Sequence, residues 1–355
     1  MDRLNPTTLN NPQEDFQEGI AMPCQVIVGA FWGDEGKGKI ISYLALKDNL
    51  NYCVRTGSVN AAHTVWFDNK KYALHMVPAA FINPKTRLLI AAGANVHVGQ
   101  FFKEVEQTQV DQKRVGIDQN ASIIEQKHSD QDKASALNKG IGTTGWGVGP
   151  AIEERVRRTA KLARDVPELK PYLCDQITEV NDGLDDGKSV LLEGTQGFML
   201  SLFLGGGYPY VTSRDTGASA IASEAGVGPT RVDDVIIVYK SFITRVGGGP
   251  LPGEITKEEA LKRGWFEVAA GTGRERRSAP FDFELAKRNA KINGATQAAM
   301  TKLDVIFPSC RSSRKFDDLS KEAKDFIKEV EKRTGVPVTF IGTGPDALDL
   351  IDRRA

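Results

Sequence analysis

The strongest constraint on the fold of this chain is a glycine-rich turn between an apolar strand and a helix. Residues 25–31 form an apolar run with β-branched side chains, which predicts a strand buried on both faces. Glycines follow at positions 33, 36 and 38, and the pattern of residues 40–46 predicts the start of a helix. A strand, a glycine loop and a helix in this order are typical of α/β folds that bind a phosphate at the helix N-terminus.

Further apolar runs and helical patterns alternate along the rest of the chain. Strands are predicted at residues 87–91, 189–192, 235–239, 298–301 and 336–341. Helices are predicted at residues 153–164, 257–263 and 320–334. The alternation predicts an α/β fold with a large, mostly parallel central sheet and helices on both faces. Residues 1–22 are polar and predict a disordered tail, and residues 23–355 predict a single catalytic domain.

The charge balance, the apolar runs and the cysteines argue against two classes of protein. Lys plus Arg and Asp plus Glu are each 46, so the formal net charge is zero, whereas a dedicated nucleic-acid binder is usually basic. No apolar run approaches the roughly 18 residues of a membrane span. The four cysteines are scattered and form no C-x-x-C pair, which is typical of free thiols in a reducing compartment. We therefore expect a cytoplasmic protein with neither nucleic acid nor membrane as a partner.

The glycine loop itself, residues 33–39, reads Gly-Asp-Glu-Gly-Lys-Gly-Lys and fits the phosphate-loop pattern G-x-x-x-x-G-K. Ile40 stands where that pattern has the Ser or Thr that binds Mg²⁺. The glycines allow backbone N–H groups to point at a phosphate, and Lys37 and Lys39 add positive charge. Asp34 is a carboxylate inside this anion-binding loop. We therefore expect it to bind Mg²⁺ or to act as a base on a substrate beside the phosphate.

Nine short segments form an ordered set of motifs along the chain. They lie at residues 32–39, 60–64, 141–145, 193–197, 208–213, 244–247, 272–277, 301–304 and 343–345. In sequence and order these segments resemble the motifs of the adenylosuccinate synthetases, which join aspartate to C6 of IMP with the use of GTP. The compact length is similar to that of the archaeal and phage branch of the family. The resemblance implies a ligase that forms a C–N bond on a purine 5′-monophosphate through a 6-phosphoryl intermediate.

The catalytic roles follow from this resemblance. A base must remove the N1 proton of the purine so that O6 becomes nucleophilic, and an acid must stabilise the charge that builds on O6. The resemblance implies that Asp34 is the base and a Mg²⁺ ligand, that His63 is the acid, and that Gln196 is a catalytic contact to the purine ring. It also places Ala62 at the metal. Outside such a motif, a lone histidine is more often a buried core residue.

The expected phosphoryl donor is GTP. The Asp304 carboxylate can accept hydrogen bonds from guanine N1–H and N2–H₂, a pair that adenine lacks. Taken alone, the Lys-Leu-Asp run at 302–304 is more typical of a charged surface. The resemblance implies that the GTP-binding residues are Gly33, Glu35, Gly36, Lys37, Gly38, Lys39, Lys302, Asp304, Thr343, Gly344 and Pro345.

The other two substrates are also placed by the resemblance. The acceptor nucleotide is expected at Asn60, Thr143, Thr144, Arg158, Gln196, Thr212, Val246 and Arg274. L-Aspartate is expected at Thr272, Arg274 and Arg276, because the forked donors of arginine suit a dicarboxylate. Arg158 matches an arginine that in this family reaches the neighbouring subunit's site. We therefore expect a homodimer with Arg158 acting in trans, and the alternative for this residue is a solvated helix face.

Four positions depart from the family pattern. Ala62 and Gly217 replace a Gly and a Thr, Gly271 replaces a Thr, and residues 278–281 replace a Gly-Trp pair. Because these positions belong to acceptor-side motifs while the donor motif is intact, they predict a changed acceptor. We expect dGMP, the acceptor of the phage 2-aminoadenylosuccinate synthetases, which make the precursor of 2,6-diaminopurine deoxynucleotide. IMP, the acceptor of an ordinary adenylosuccinate synthetase, is the alternative.

Two readings without this chemistry are also open to test. A GTP-binding regulatory module would need the phosphate loop and Asp304, but neither His63 nor the arginines at 274 and 276. An inactive relative would have lost Asp34 or His63. All of these residues are present, so the sequence favours an enzyme.

Overall fold

The computed structural model describes residues 24–135, 140–269 and 273–354, so the predicted tail at residues 1–22 lies outside the described part of the chain. The strands are β1 Cys24–Gly29, β2 Tyr52–Arg55, β3 His63–Phe67, β4 Lys70–Leu74, β5 Arg87–Ile90, β6 Asn95–Val96, β7 Val115–Asp118, β8 Ser122–Ile123, β9 Leu173–Cys174, β10 Val190–Glu193, β11 Asp234–Lys240, β12 Phe242–Arg245, β13 Arg277–Pro280, β14 Gln297–Thr301, β15 Val338–Gly342 and β16 Leu350–Asp352.

The α-helices of the described residues connect these strands. They are α1 Lys37–Lys47, α2 Val98–Thr108, α3 Gln126–Ala134, α4 Val148–Arg157, α5 Gln176–Asp185, α6 Ala218–Glu224, α7 Lys257–Lys262, α8 Phe283–Asn293, α9 Leu303–Ile306 and α10 Lys321–Thr334. Among the described residues, no helix is both long enough and apolar enough to cross a membrane.

Ten strands form one central sheet in the order β16-β15-β14-β11-β1-β10-β2-β5-β7-β9. Every neighbouring pair in this sheet is parallel except β15 with β16, which closes one edge in the antiparallel sense. β1 lies between β10 and β11, so the first strand of the chain is central. The predicted α/β fold with a mostly parallel sheet is therefore confirmed.

The strands are buried on both faces because helices cover both sides of the sheet. In β1, Ile27 belongs to one hydrophobic cluster together with Ile40 and Leu44 of α1. Its neighbours Val26 and Val28 belong to a second cluster, which includes α6, α8 and α10. Each side chain of this size contributes roughly 1.5–3 kcal/mol when fully buried. Alternate residues thus pack into opposite cores, and the strand reads as a continuous apolar run.

The predicted strands lie within two residues of the observed ones, but three helix boundaries are wrong, one in α1 and two in α4. α1 begins at Lys37, three residues before the predicted start, because Gly36 takes a left-handed conformation with φ 89° and the chain turns directly into the helix. The helix predicted at 153–164 is α4. It starts at Val148 after left-handed Gly147 and stops at Arg158, which has a φ of 65°.

Candidate active site

The loops after β1, β2 and β10 line a cavity of about 650 Å³ at the carboxyl-terminal edge of the sheet. Ligands of open α/β sheets bind at this edge. The cavity brings together most of the predicted site residues, namely Gly33, Asp34, Gly36, Lys37, Gly38, Asn60, Ala62, His63, Thr143, Thr144, Gln196, Thr212, Val246, Arg274 and Arg276. Thr272 lies outside the described residues.

The glycine loop is braced from inside by Glu35. Its carboxylate accepts hydrogen bonds from the backbone N–H of Phe31 at 2.9 Å and of Gly33 at 2.8 Å. It also accepts one from Lys37 Nζ at 2.8 Å. Glu35 is 1% exposed and its side chain is turned into the loop. These contacts therefore fix the conformation of the loop and the position of the Lys37 ammonium.

The Asp34 carboxylate faces the cavity and contacts cationic side chains. Asp34 has a left-handed backbone, φ 62°, and its side chain is 34% exposed. Its Oδ2 lies 3.2 Å from Arg276 Nη2 and 3.6 Å from Lys240 Nζ. Its position inside the cleft raises the pKa of the Asp34 carboxyl, and the nearby Glu267 carboxylate adds to this, while Lys240 and Arg276 oppose it. A raised pKa suits a carboxylate that has to accept a proton.

His63 is oriented by a buried carboxylate that sequence reasoning did not assign. His63 Nδ1 lies 2.6 Å from Glu193 Oε1, and Arg55 Nη1 donates to the same oxygen. Ala79 N donates to the other oxygen, Glu193 Oε2, at 2.8 Å. Because Nδ1 is committed to Glu193, the second ring nitrogen is left free, and His63 Nε2 is buried without a hydrogen-bond partner among the described residues.

Burial and charge favour the neutral form of this histidine. Burial, aided by the Arg55 guanidinium, lowers the pKa of His63 to about 4, although Glu193 opposes the shift. Burial alone would raise the pKa of Glu193, but Arg55 and His63 outweigh it and lower the value to about 2. An anionic substrate beside Nε2 would favour the imidazolium form, with Glu193 placed to stabilise its charge.

The residues predicted to bind the donor base lie at the ends of β14 and β15. Lys302 begins α9 with a φ of 60°, and Asp304 lies half-buried in the first turn of that helix. Lys39 Nζ donates to the backbone oxygen of Asp346, in the loop that follows the predicted Thr343, Gly344 and Pro345. Burial lowers the pKa of Lys39 to about 8. The fold thus brings the phosphate loop next to both predicted base-binding segments.

The acceptor and aspartate side of the cavity carries several uncommitted donors. Gln196 Nε2 donates to Thr212 Oγ1 at 2.8 Å, which fixes the amide at the cavity wall. Arg274 Nη1 donates to the Gly142 carbonyl at 2.7 Å. The Nε groups of Arg274 and Arg276 are buried and have no hydrogen-bond partner among the described residues. Two guanidinium groups with a remaining N–H donor in one cavity fit an anionic substrate.

Arg158 lies away from these groups. It is exposed at the end of α4 and does not line the cavity formed by the described residues of its own chain. The placement is compatible with the expected role in a neighbouring subunit, which stays a prediction.

The sequence departures lie mostly outside the cavity. Ala62 lines it. Ser278 and Ala279 are 1% and 0% exposed within β13, which pairs with β12, and Phe281 packs edge-on against Phe31 at 5.4 Å. Gly217 is buried at the start of α6, where a Cβ atom would meet Phe198 and Asn293 at 3.2 Å. Gly271 lies outside the described residues.

Sequence reasoning missed four charged residues around Asp34 and His63, the residues predicted to be catalytic. Arg55, Glu193 and Lys240 are each the last residue of a buried parallel strand. A charged residue that ends an apolar run was therefore the available signal, because strand ends of a parallel sheet meet at the ligand-binding edge. Glu267 lies in a loop and carries no comparable signal.

A glycine-rich phosphate loop, a carboxylate facing the same cavity as a carboxylate-oriented histidine, and two arginines whose Nε groups have no hydrogen-bond partner among the described residues define a nucleotide-binding enzyme site. The sequence profile of the adenylosuccinate synthetases matches residues 26–167 and 159–311. The adenylosuccinate synthetase of Thermococcus onnurineus is 52% identical over 337 residues, which cover 94% of this chain and 99% of that protein. The Methanosphaera stadtmanae enzyme is 50% identical, with 94% and 98% covered. The chain therefore belongs to the adenylosuccinate synthetase family.

Solved structures share the fold. A fully ligated adenylosuccinate synthetase from Plasmodium falciparum aligns with a TM-score of 0.87 at 25% identity, covering 93% of this chain and all of that one. The succinoaminodeoxyadenylate synthetase of cyanophage S-2L, bound to dGMP and dATP, aligns with a TM-score of 0.79 at 23% identity over 94% of this chain and 96% of that one. The second likeness is one of fold alone. Membership of a ligase family sets aside the regulatory-module reading of the sequence.

Proposed function

We propose that this protein joins L-aspartate to C6 of IMP with GTP as phosphoryl donor, and so makes adenylosuccinate. The observation that carries the choice of IMP is the position of the departures from the family motifs. Gly217, Ser278 and Ala279 are buried in the core, and neither Gly217 nor any of residues 278–281 lines the cavity. The chain from Arg277 to Pro280 is strand β13, and not a loop that could make room for a 2-amino group. Relatives with about half of their residues identical, named adenylosuccinate synthetase, support the same choice.

In the proposed reaction Asp34 removes the N1 proton of the purine, which makes O6 the nucleophile toward the γ-phosphate of GTP. His63 stabilises the charge on O6 through Nε2, the ring nitrogen that has no protein partner. Lys37, fixed by Glu35, carries positive charge into the phosphate loop. Arg274 and Arg276 hold the carboxylates of aspartate. The amine of aspartate then attacks C6, loses a proton and displaces the phosphate.

Mg²⁺ fits the oxygen ligands at the same place. The Asp34 carboxylate and the backbone at Ala62 line one cavity beside the glycine loop, and carboxylate and carbonyl oxygens are ligands that Mg²⁺ accepts together with substrate phosphates. When bound, the ion would neutralise charge on the transferred phosphoryl group. Asp34 would then serve as ligand and as base.

The test is the ratio of kcat/KM for IMP, dIMP, GMP and dGMP at saturating GTP and aspartate, with phosphate release and product mass as readouts. The expected result is the highest kcat/KM with IMP. A 2-amino group without an acceptor in the pocket should lower kcat/KM about tenfold or more. If dGMP gives the highest value, the departures do report a changed acceptor, through Ala62 and Gly271, and the proposal is wrong.

The core departures allow a second test. Phe281→Leu removes ring contacts with Phe31 and Tyr239. We expect it to lower the midpoint of thermal unfolding while the IMP to dGMP ratio of kcat/KM stays within about twofold of the original, because a core substitution acts on stability. A strongly changed ratio would mean that this segment shapes the acceptor pocket.

A further inference from the structure

We propose that Glu267 is a positioning residue, which fixes the stem of the aspartate-binding hairpin against the Asp34 carboxylate by way of Lys240. The stem is defined as residues 267–269 and 274–276. The assignment of this hairpin to aspartate rests on the proposed function. The role of Glu267 deepens that function, because it concerns how the position of the aspartate site is fixed relative to Asp34, the proposed base.

The two sides of the stem are paired through their backbones. Arg276 N donates to the Glu267 carbonyl at 2.9 Å, and Ala269 N donates to the Arg274 carbonyl at 2.9 Å. Val268 and Glu275 form an antiparallel bridge between them. The position of Glu267 therefore sets the positions of both arginines on the opposite side of the stem.

The Glu267 side chain gathers the cations around the base. Its Oε2 lies 2.6 Å from Lys240 Nζ and 4.0 Å from Arg276 Nε, and its Oε1 lies 3.4 Å from Lys302 Nζ. Both Lys240 and Arg276 also contact Asp34 Oδ2, at 3.6 Å and 3.2 Å. Asp34, Lys240, Glu267 and Arg276 thus form a ring in which each cation contacts both carboxylates, and the Asp34 and Glu267 carboxyls also hydrogen-bond to each other.

Lys240 is the fixed member of this ring. It ends β11, its side chain is 2% exposed, and its Nζ also donates to Thr244 Oγ1 at 3.0 Å. The ammonium lies 4.6 Å from the centre of the Phe242 ring. The Lys240 ammonium is held in place by these buried contacts and cannot move together with the hairpin. Its ion pair with Glu267 therefore anchors the hairpin to the sheet.

The ring also divides the cations between two carboxylates. With Glu267 in place, Lys240 and Arg276 each have a carboxylate other than Asp34. Without its charge, Asp34 would be the only carboxylate for both cations, which would draw them onto the base and pull Arg276 away from the substrate. Glu267 therefore leaves Asp34 accessible and Arg276 placed for aspartate.

The principal test is Glu267→Gln in the full-length protein, assayed with whichever purine monophosphate the unaltered protein uses best. We expect kcat to fall about tenfold or more and the KM for aspartate to rise about fivefold, the scale of one charged hydrogen bond. The KM for GTP should change less than about threefold, because the pair of Glu267 with Lys302 is half exposed and weak. Glu267→Asp keeps the charge and should recover more of kcat than the amide does.

The matched control is Glu331→Gln. Glu331 pairs with Arg353 at 2.6 Å, has a side-chain exposure of 23% against 18% for Glu267, and does not line the cavity. It should leave kcat and the KM for aspartate unchanged. A Lys240→Met variant completes a double-mutant cycle with Glu267→Gln, and the two effects should be strongly non-additive if the residues act as a unit.

The outcomes separate the proposal from the choice of acceptor. An incorrect acceptor assignment appears in the unaltered protein and leaves the comparison of variants intact. Unchanged kcat and aspartate KM in Glu267→Gln, additive effects with Lys240→Met, or no recovery by Glu267→Asp would each overturn the positioning role. Thermal unfolding of every variant is recorded. If Glu267→Gln does not fold, the Glu267→Asp and Lys240→Met variants decide by the same criterion, the aspartate KM.

Discussion

Replacing Glu193 with Gln tests whether one buried carboxylate both orients His63, the proposed acid, and stabilises the sheet edge. Glu193 is 0% exposed. It receives His63 Nδ1 and Arg55 on one oxygen and the Ala79 N–H on the other. The amide keeps the size of the side chain but removes the charge. Arg55, itself 1% exposed, is then left with backbone carbonyls as its acceptors.

The size of the effect follows from the pKa of Glu193. The folded protein lowers this pKa from 4.5 to about 2, because Arg55 and His63 outweigh the effect of burial. A carboxyl with a depressed folded pKa stabilises the protein above its unfolded pKa, and this stability is lost as the pH falls through the folded value. The difference corresponds to about 3 kcal/mol of folding free energy, in the range expected for breaking a buried ion pair.

The assay is urea unfolding of the unaltered protein and of Glu193→Gln between neutral pH and about pH 4, together with kcat at neutral pH. The variant should be about 3 kcal/mol less stable at neutral pH, and the gap should narrow by about 1 kcal/mol near pH 4 as the unfolded carboxyl takes up protons. The kcat should fall by about 10²-fold or more, the scale of a general acid that is no longer oriented. Glu331→Gln serves again as the control, a half-buried ion pair away from the cavity.

Two results would refute this reasoning. A stability loss below about 1 kcal/mol at neutral pH would mean that the ion pair with Arg55 contributes little. A normal kcat in a folded variant would mean that His63 is oriented by other contacts, or that it is not the acid.

Six of the ten strands of the central sheet were predicted, because strands buried on both faces read as short apolar runs. Each predicted run lies within two residues of an observed strand, whereas β2, β7, β9 and β16 were not predicted. The glycine loop was predictable for a different reason. Its residue types are fixed by the approach of backbone to a phosphate, so the local sequence carries the geometry.

Contacts between distant segments could not be predicted in the same way. Arg55 and Glu193 are 138 residues apart and meet only because β2 and β10 are neighbours in the sheet. The order of strands is a property of the fold as a whole, and no local pattern encodes it. The end of α4 was missed because Arg158, a residue type that seldom adopts a left-handed backbone, does so there.

The departures from the family motifs illustrate the same limit. Ser278 and Phe281 follow directly after a predicted aspartate-binding segment, so the sequence alone suggested a pocket role for them. In the fold they pair with β12 and pack against Phe31. Residues that follow a binding segment in sequence do not lie near the substrate when the strand they belong to runs away from the site.

Three further predictions concern the site itself. Asp34→Asn should lower kcat by at least about 10²-fold while the protein stays folded, since the amide cannot take the N1 proton; near-normal turnover would contradict the base assignment. Arg158→Ala should lower activity if it acts in trans, and mixing it with inactive Asp34→Asn should restore part of the activity, which a monomer could not do. Asp304→Asn should raise the KM for GTP about tenfold to a hundredfold and leave the KM for IMP unchanged, because one guanine N–H then faces an amide N–H₂. The same amide can donate a hydrogen bond to the C2 oxygen of xanthine, so XTP should become the better phosphoryl donor for this variant. Asp317→Asn, which changes an exposed carboxylate, is the control. If GTP keeps its advantage over XTP in Asp304→Asn, another group reads the base, and the expectation of GTP as donor loses its physical basis.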